Sequence, residues 1–307
     1  MKLFRRTLLQ ALVLSPLAAN LSLPAMAQGA LSVSSVTDNI SVISGAGANV
    51  VVAVGPESVV VVDGGLAENA EALLAQIDAI SAGKPISTLF NTNWRRNKSG
   101  LNQLLAARGT SIIAHENTRL WQNAEFHSEW ENVDYTPLPK EEQANKTFYD
   151  KGTLTLGDEV IEYGFISQSN SDSDIYVRFT KADVLVVGDM VGAGAYPLFD
   201  YATGGWINGA QRTTQGLLAL SSDTTRVIAS LGPVVDRAHL EKQAAMLEHA
   251  YAKVSECFKT GLSLEQFKQS DPMQAFNAEW GNPDLFLALL YKSTWYRIPG
   301  RAIQGII

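Results

Sequence analysis

Val59-Val60-Val61-Val62-Asp63-Gly64-Gly65 is a run of four β-branched residues closed by an aspartate and two glycines. Such a run predicts a strand that stops at a tight turn. Two similar β-branched runs, over 40–43 and 49–54, precede it, so a sheet starts the domain. After the turn, residues 67–80 place Leu73, Leu74, Ile77 and Ile80 on one face at helical spacing, and Gly83 with Pro85 ends that helix. A buried strand over 86–91, a polar segment over 93–98, a short helix over 99–107 and a strand over 110–114 complete a β-α-β-α-β run.

The second half repeats this order. Strands are predicted over 154–156, 160–165, 175–179 and 184–187, a helix over 206–220, a strand over 226–229 and a long helix over 236–259. In that last helix Leu240, Ala244, Leu247, Tyr251 and Val254 form one apolar stripe. Two β-rich halves, each closed by helices, predict an α/β architecture: two sheets face to face with helices outside, an αββα sandwich. Residues 262–307 read as a helical appendix whose Phe286, Leu287, Leu290, Trp295 and Tyr296 serve as core or as subunit contact.

The valine run with its Asp-Gly-Gly end resembles the first motif of the metallo-β-lactamase superfamily. Further on, Thr92-Asn93-Trp94-Arg95-Arg96-Asn97-Lys98-Ser99-Gly100 falls where that superfamily has T-H-x-H-x-D-H-x-G, with Asn102 also in its place. Ser169-Asn170-Ser171-Asp172-Ser173-Asp174 is similar to A-H-T-x-G-D, Val186-Val187-Gly188-Asp189 to the strand leading to the metal-bridging aspartate, and Ala229-Ser230-Leu231-Gly232-Pro233-Val234 to P-G-H-G-P-V. The resemblance runs in order over 40–247. It implies the αββα sandwich, with a domain over 28–260 and a C-terminal helical extension over 261–307 packed on it.

Carried across position by position, the resemblance puts Asn93, Arg95, Lys98, Asn170 and Leu231 where zinc-ligand histidines stand, and Asn97 at the aspartate. Asp189 alone is kept, and Asp63 is expected behind the metal loop. Zinc needs several thiolate, imidazole or carboxylate lone pairs aimed at one point, and arginine and protonated lysine offer none. Zinc is therefore expected to be absent, with no catalytic residue assigned. The four histidines, His115, His127, His239 and His249, occupy none of these positions. His115 reads as structural or as part of the rim.

With fixed cations in place of metal, and with a helix starting near Ser99, a carboxylate or phosphate ligand fits the cleft. The alternative is that Asp189 pairs with Arg95 or Lys98 as internal glue. Three functions follow. The first is a catalytically silent pseudoenzyme that binds a small anion or a protein partner. The second is a metal-independent hydrolase using Ser99, Ser171 or Ser173, with Lys98 as base. The third is a structural subunit or homo-oligomer assembled through the C-terminal helices.

Residues 1–27 read as a signal peptide: a basic start, an apolar stretch over 7–23 and the small-x-small site Ala25-Met26-Ala27. Arg5-Arg6 fits a twin-arginine signal, with an ordinary Sec signal as the alternative, and either implies a periplasmic or secreted bacterial protein. The interrupted apolar stretch gives no membrane span after cleavage. The remaining chain of about 280 residues suffices for one large core. A formal net charge of −7 argues against nucleic acid or an anionic membrane as general partners. Cys257, the only cysteine, excludes an internal disulfide and reads as a small buried helix residue.

Overall fold

The computed structural model of the protein describes residues 30–297. The expected signal peptide and the end of the expected C-terminal extension lie outside the described residues. The first half runs β1 (Ser32–Ser35), β2 (Ile40–Ser44), β3 (Val50–Val54), β4 (Val59–Val62), α1 (Ala70–Ser81), β5 (Ile86–Phe90), α2 (Arg96–Ser99), α3 (Asn102–Ala106), β6 (Ser111–His115), α4 (Glu116–Gln122), β7 (Phe126–Ser128), β8 (Val133–Tyr135) and β9 (Lys146–Phe148). The second runs β10 (Lys151–Leu156), β11 (Glu159–Phe165), β12 (Ile175–Phe179), β13 (Val184–Gly188), α5 (Ile207–Leu220), β14 (Arg226–Ala229) and α6 (Arg237–Thr260). The chain then continues through α7 (Leu264–Gln269), α8 (Asn277–Trp280) and α9 (Asp284–Trp295).

One sheet has the order β1-β2-β3-β4-β5-β6-β9 and the other β10-β11-β12-β13-β14. Side chains alternate across each strand, and the valine run is the clearest case. Val60 and Val62 face the second sheet and pack with Ile161, Val177, Phe179 and Val186. Val59 and Val61 face the helices and pack with Leu73, Leu74 and Ile77 of α1 and Leu105 of α3. On the far side, Leu185, Val187 and Val227 meet Leu217 of α5 and Leu240 of α6. These layers give the expected αββα sandwich.

The C-terminal region is helical, with Phe286, Leu287 and Leu290 buried against Leu247, Val254 and Phe267. Trp295 lies against Phe258 and Tyr291, whereas Tyr296 is exposed and stacks on Tyr201. The face of α6 differs from the predicted stripe: Leu240, Gln243, Leu247, Ala250, Val254 and Cys257 are buried, and Tyr251 points outward. Spacings of three and four residues keep the buried set in line, and Tyr251 falls one position off it.

The helix predicted over 99–107 is also different. It begins earlier and is split into α2 and α3, because Gly100 is pressed against the glycine turn. The Gly100 N–H donates to the Gly65 carbonyl at 2.9 Å, and a Cβ at Gly100 would lie 2.4 Å from that oxygen. The short elements α4, β7, β8 and β9 escape the sequence pattern, since none is long enough to show a period.

Candidate functional site

The carboxyl ends of β4, β5, β13 and β14 come together at one edge of the sandwich and deliver Asp63, the 91–99 loop, Asp189 and Ser230. Asp63 follows β4 with a left-handed backbone, φ +64°. Its carboxylate accepts from the Thr92 N–H at 2.8 Å and from the Thr92 hydroxyl at 2.8 Å, which fixes the start of the loop. Gly64 allows the close fit: its N–H donates to the Lys98 carbonyl at 2.7 Å. Asp63→Ala is expected to lower stability by roughly 1–3 kcal/mol as the buried Thr92 donors lose their acceptor, read as a drop in the urea midpoint. An unchanged midpoint would mean that the loop does not depend on this carboxylate.

Lys98 is fully buried. Its Nζ lies 3.3 Å from Asp189 Oδ1, 3.8 Å from Asp63 Oδ2 and in a short hydrogen bond with Ser230 Oγ. Asn93, also fully buried, donates through Nδ2 to Asp189 Oδ2 at 2.8 Å and to Asp174 Oδ1 at 3.2 Å. Its Oδ1 accepts from the Arg95 N–H at 3.1 Å. The amide orientation is set by this chemistry, since the opposite one would place oxygen against two carboxylates. Three carboxylates are thus gathered around one ammonium and one amide.

Their proton affinities differ. Burial raises the Asp63 carboxyl to about 6, against the pull of Lys98 and the Thr92 hydrogen bonds. Burial raises Asp174 further, to about 7, although its Oδ2 accepts the Ser171 N–H at 2.6 Å. For Asp189 burial acts in the same direction but is outweighed by Lys98, Arg95 and the hydrogen bonds of Asn93 and Ser230, so this carboxyl is held below its usual range. Of the three, Asp189 is the carboxylate whose charge is held most firmly, opposite Lys98.

The remaining expected residues make other contacts. Arg95 turns away from Asp189 and binds Glu131 Oε1 at 2.7 Å and Asp200 Oδ2 at 3.1 Å. Burial disfavours its charge, yet Asp200 and Glu131 outweigh that and raise its proton affinity. Of the two pairings open to Asp189, the one formed is with Lys98. Asn97 donates to the Gly47 carbonyl at 3.0 Å and Asn170 to the Leu198 carbonyl at 3.0 Å, so both amides serve neighbouring loops. Leu231 is half exposed, and the adjacent Ser230 supplies the contact to Lys98. The expected helix N-terminus does not offer an anion site, because α2 is a single four-residue turn.

Sequence reasoning missed Asp174, Ser230, Glu131 and Asp200. Asp174 had a signal, since it ends the 169–174 motif. Glu131 and Asp200 had none. Ser99 donates to the Arg96 carbonyl, and Ser171 and Ser173 share a hydrogen bond at 2.9 Å, so Ser230 is the serine beside the cation. His115 is structural: its ring stacks on Phe165 at 3.8 Å, Nδ1 accepts from the Asn117 N–H, and Nε2 then donates to the Tyr149 carbonyl. Among the described residues no group of three or more His, Cys, Asp and Glu side chains is placed to hold a metal ion.

The chain matches no protein-family model and no curated protein. Its fold is matched by solved metallo-β-lactamases. The DIM-1 metallo-β-lactamase superposes with a TM-score of 0.59 at 21% identity, covering 72% of this chain and 98% of that one. A metallo-β-lactamase from Pontibacter korlensis gives 0.58 at 19% identity, covering 71% and 99%. One from Erythrobacter litoralis gives 0.56 at 16%, covering 71% and 96%. The protein has the metallo-β-lactamase fold, with a C-terminal helical region.

Proposed function

We propose that this metallo-β-lactamase-fold protein is a catalytically silent binding protein in which the Lys98 ammonium does the electrostatic work that a metal ion does in the fold's hydrolases. The observation that carries this reading is the burial of Lys98 Nζ among Asp189, Asp63 and Ser230. The donor set does not fit zinc. Asn93 directs an N–H rather than a lone pair at the carboxylates, Arg95 is engaged elsewhere, and a cation already stands between Asp63 and Asp189.

A metal-independent hydrolase is the second reading, and the contact between Lys98 Nζ and Ser230 Oγ favours it, because a lysine can serve as base to a serine nucleophile. Against it, Lys98 Nζ is already engaged by the two carboxylates of Asp189 and Asp63. Ser230 is also buried. Export to the periplasm or beyond, by a Tat or Sec signal, belongs to the same proposal and rests on residues 1–27.

Protein purified without chelator is expected to carry less than about 0.1 equivalent of zinc, iron or manganese. It is also expected to turn over none of a panel of β-lactam, ester, thioester and lactone substrates, and to leave Ser230 unlabelled by a fluorophosphonate probe. Stoichiometric metal that survives dialysis and is lost in Asp189→Ala would overturn the reading. Labelling or turnover lost in Ser230→Ala would replace it with the hydrolase.

A further inference from the structure

The Lys98 centre is closed, but a second cation beside it is held differently. Arg95 spreads its guanidinium between two carboxylates of unlike attachment. Asp200 is fully buried and held from its own loop: its Oδ1 accepts from the Ala202 N–H at 3.2 Å and Oδ2 faces Arg95, while Trp130 Nε1 of the ribbon adds a bond to Oδ1 at 3.1 Å. Glu131 comes from the turn between β7 and β8, a two-stranded ribbon that pairs with no other strand among the described residues. Such a ribbon is marginal without side-chain support, which suits it to local opening.

The contacts that hold the ribbon down are identifiable. Phe126 and Tyr135 set their rings edge-on to Trp94, at centroid distances of 5.3 and 4.9 Å. Trp130 reaches Asp200 and lies over Arg95. Arg96 donates to the Thr136 carbonyl. At the outer end Glu129 accepts from Lys292 of α9 at 3.0 Å and from the Tyr201 hydroxyl at 2.9 Å. That last pair is partly exposed and weak.

We propose that Glu131 is a tethered occupant of a carboxylate-binding site, and that a carboxylic acid with a flat aromatic body replaces it when the β7–β8 ribbon lifts. The exchange leaves the charge around Arg95 unchanged, because one carboxylate leaves as another arrives, so no unpaired charge is buried. Lifting the ribbon frees Arg95 Nη1, and Asp200 remains as its permanent counter-ion. It also bares the part of Trp94 that Phe126 and Tyr135 cover, which gives an aromatic floor within reach of the guanidinium, itself 5.0 Å from the Trp94 ring. The acid group and the flat body of the ligand each have a counterpart. This inference rests on the binding-protein reading and names the ligand class of that cleft.

The test compares 3-phenylpropionate with its neutral amide by calorimetry, on wild type, Glu131→Gln and Lys292→Ala. Glu131→Gln keeps the shape of the tether and removes its charge. The acid is expected to bind it about tenfold tighter than wild type, a gain of about 1.4 kcal/mol. Lys292→Ala, which loosens the ribbon from outside, is expected to bind the acid roughly threefold tighter. The amide should gain nothing in either variant. Unchanged acid affinity in both variants, with wild-type near-ultraviolet circular dichroism, would overturn the proposal and leave Glu131 as an internal counter-ion. If Glu131→Gln fails to fold, Lys292→Ala decides alone. Metal content and turnover are measured on the same preparations, so the silent-cleft reading and this one can fail separately.

Discussion

Lys98→Met is expected to lower stability by about 3–5 kcal/mol at pH 8, more than any other single change to the charged groups of the cleft. Methionine fills nearly the same volume and adds no polar atom, so the loss measures the charge. Without the ammonium, Asp189 keeps its hydrogen bonds from Asn93 and Ser230 but loses its buried counter-ion, and Ser230 loses its contact to the cation. The same substitution should cost less at pH 5, where Asp63 and Asp174 take up protons and cease to repel Asp189. Lys98→Met combined with Asp189→Asn should be less destabilised than the sum of the single variants by more than about 1 kcal/mol, because the two groups compensate each other. Urea titrations at both pH values decide it. A Lys98→Met protein within about 1 kcal/mol of wild type at pH 8 would show that the ammonium is not the centre of the network.

The sequence made the fold legible because its strongest signals are the ones that build it. The valine run is buried on both faces, the apolar face of α1 matches the predicted set, and each motif turned out to sit at the carboxyl end of a strand. What it concealed is pairing. Arg95 and Lys98 are three residues apart and read as two equivalent cations, yet one is sealed inside and the other faces a ribbon from a distant part of the chain. Glu131 and Asp200 decide that difference, and both lie in loops with no periodicity. A carboxylate in such a loop is indistinguishable, by composition, from any solvated acid until the fold places it. Ser230 was hidden by attention to its neighbour, since Leu231 takes the position a ligand would hold and then points to solvent.

Between pH 5 and pH 8 the protein is expected to lose roughly 2–4 kcal/mol of stability, the reverse of the usual gain as carboxylates ionise. Asp63 and Asp174 have folded values of about 6 and about 7, above the ordinary 3.8, so the folded state holds protons that the unfolded chain releases. Their contribution is complete below pH 3.8 and disappears as the pH rises through 6 and 7. Asp189 has the opposite sign: held below 3.8, it contributes above that value and fails only when the pH drops further. His115, whose ring is lowered from 6.5 by burial, also opposes the trend, because acidification must charge a stacked imidazole. The balance favours the two carboxyls, since both are fully enclosed and neither has a close, well-formed ion pair to hold its charge. Asp174→Asn isolates the effect. The amide cannot titrate, and it faces the Asn93 Nδ2 with one acceptor fewer, so the variant should be less stable than wild type at pH 5 while its melting temperature between pH 5 and 8 changes less than half as much. A wild-type melting temperature that is flat or rising over that range would refute the protonation scheme, as would an Asp174→Asn profile parallel to wild type.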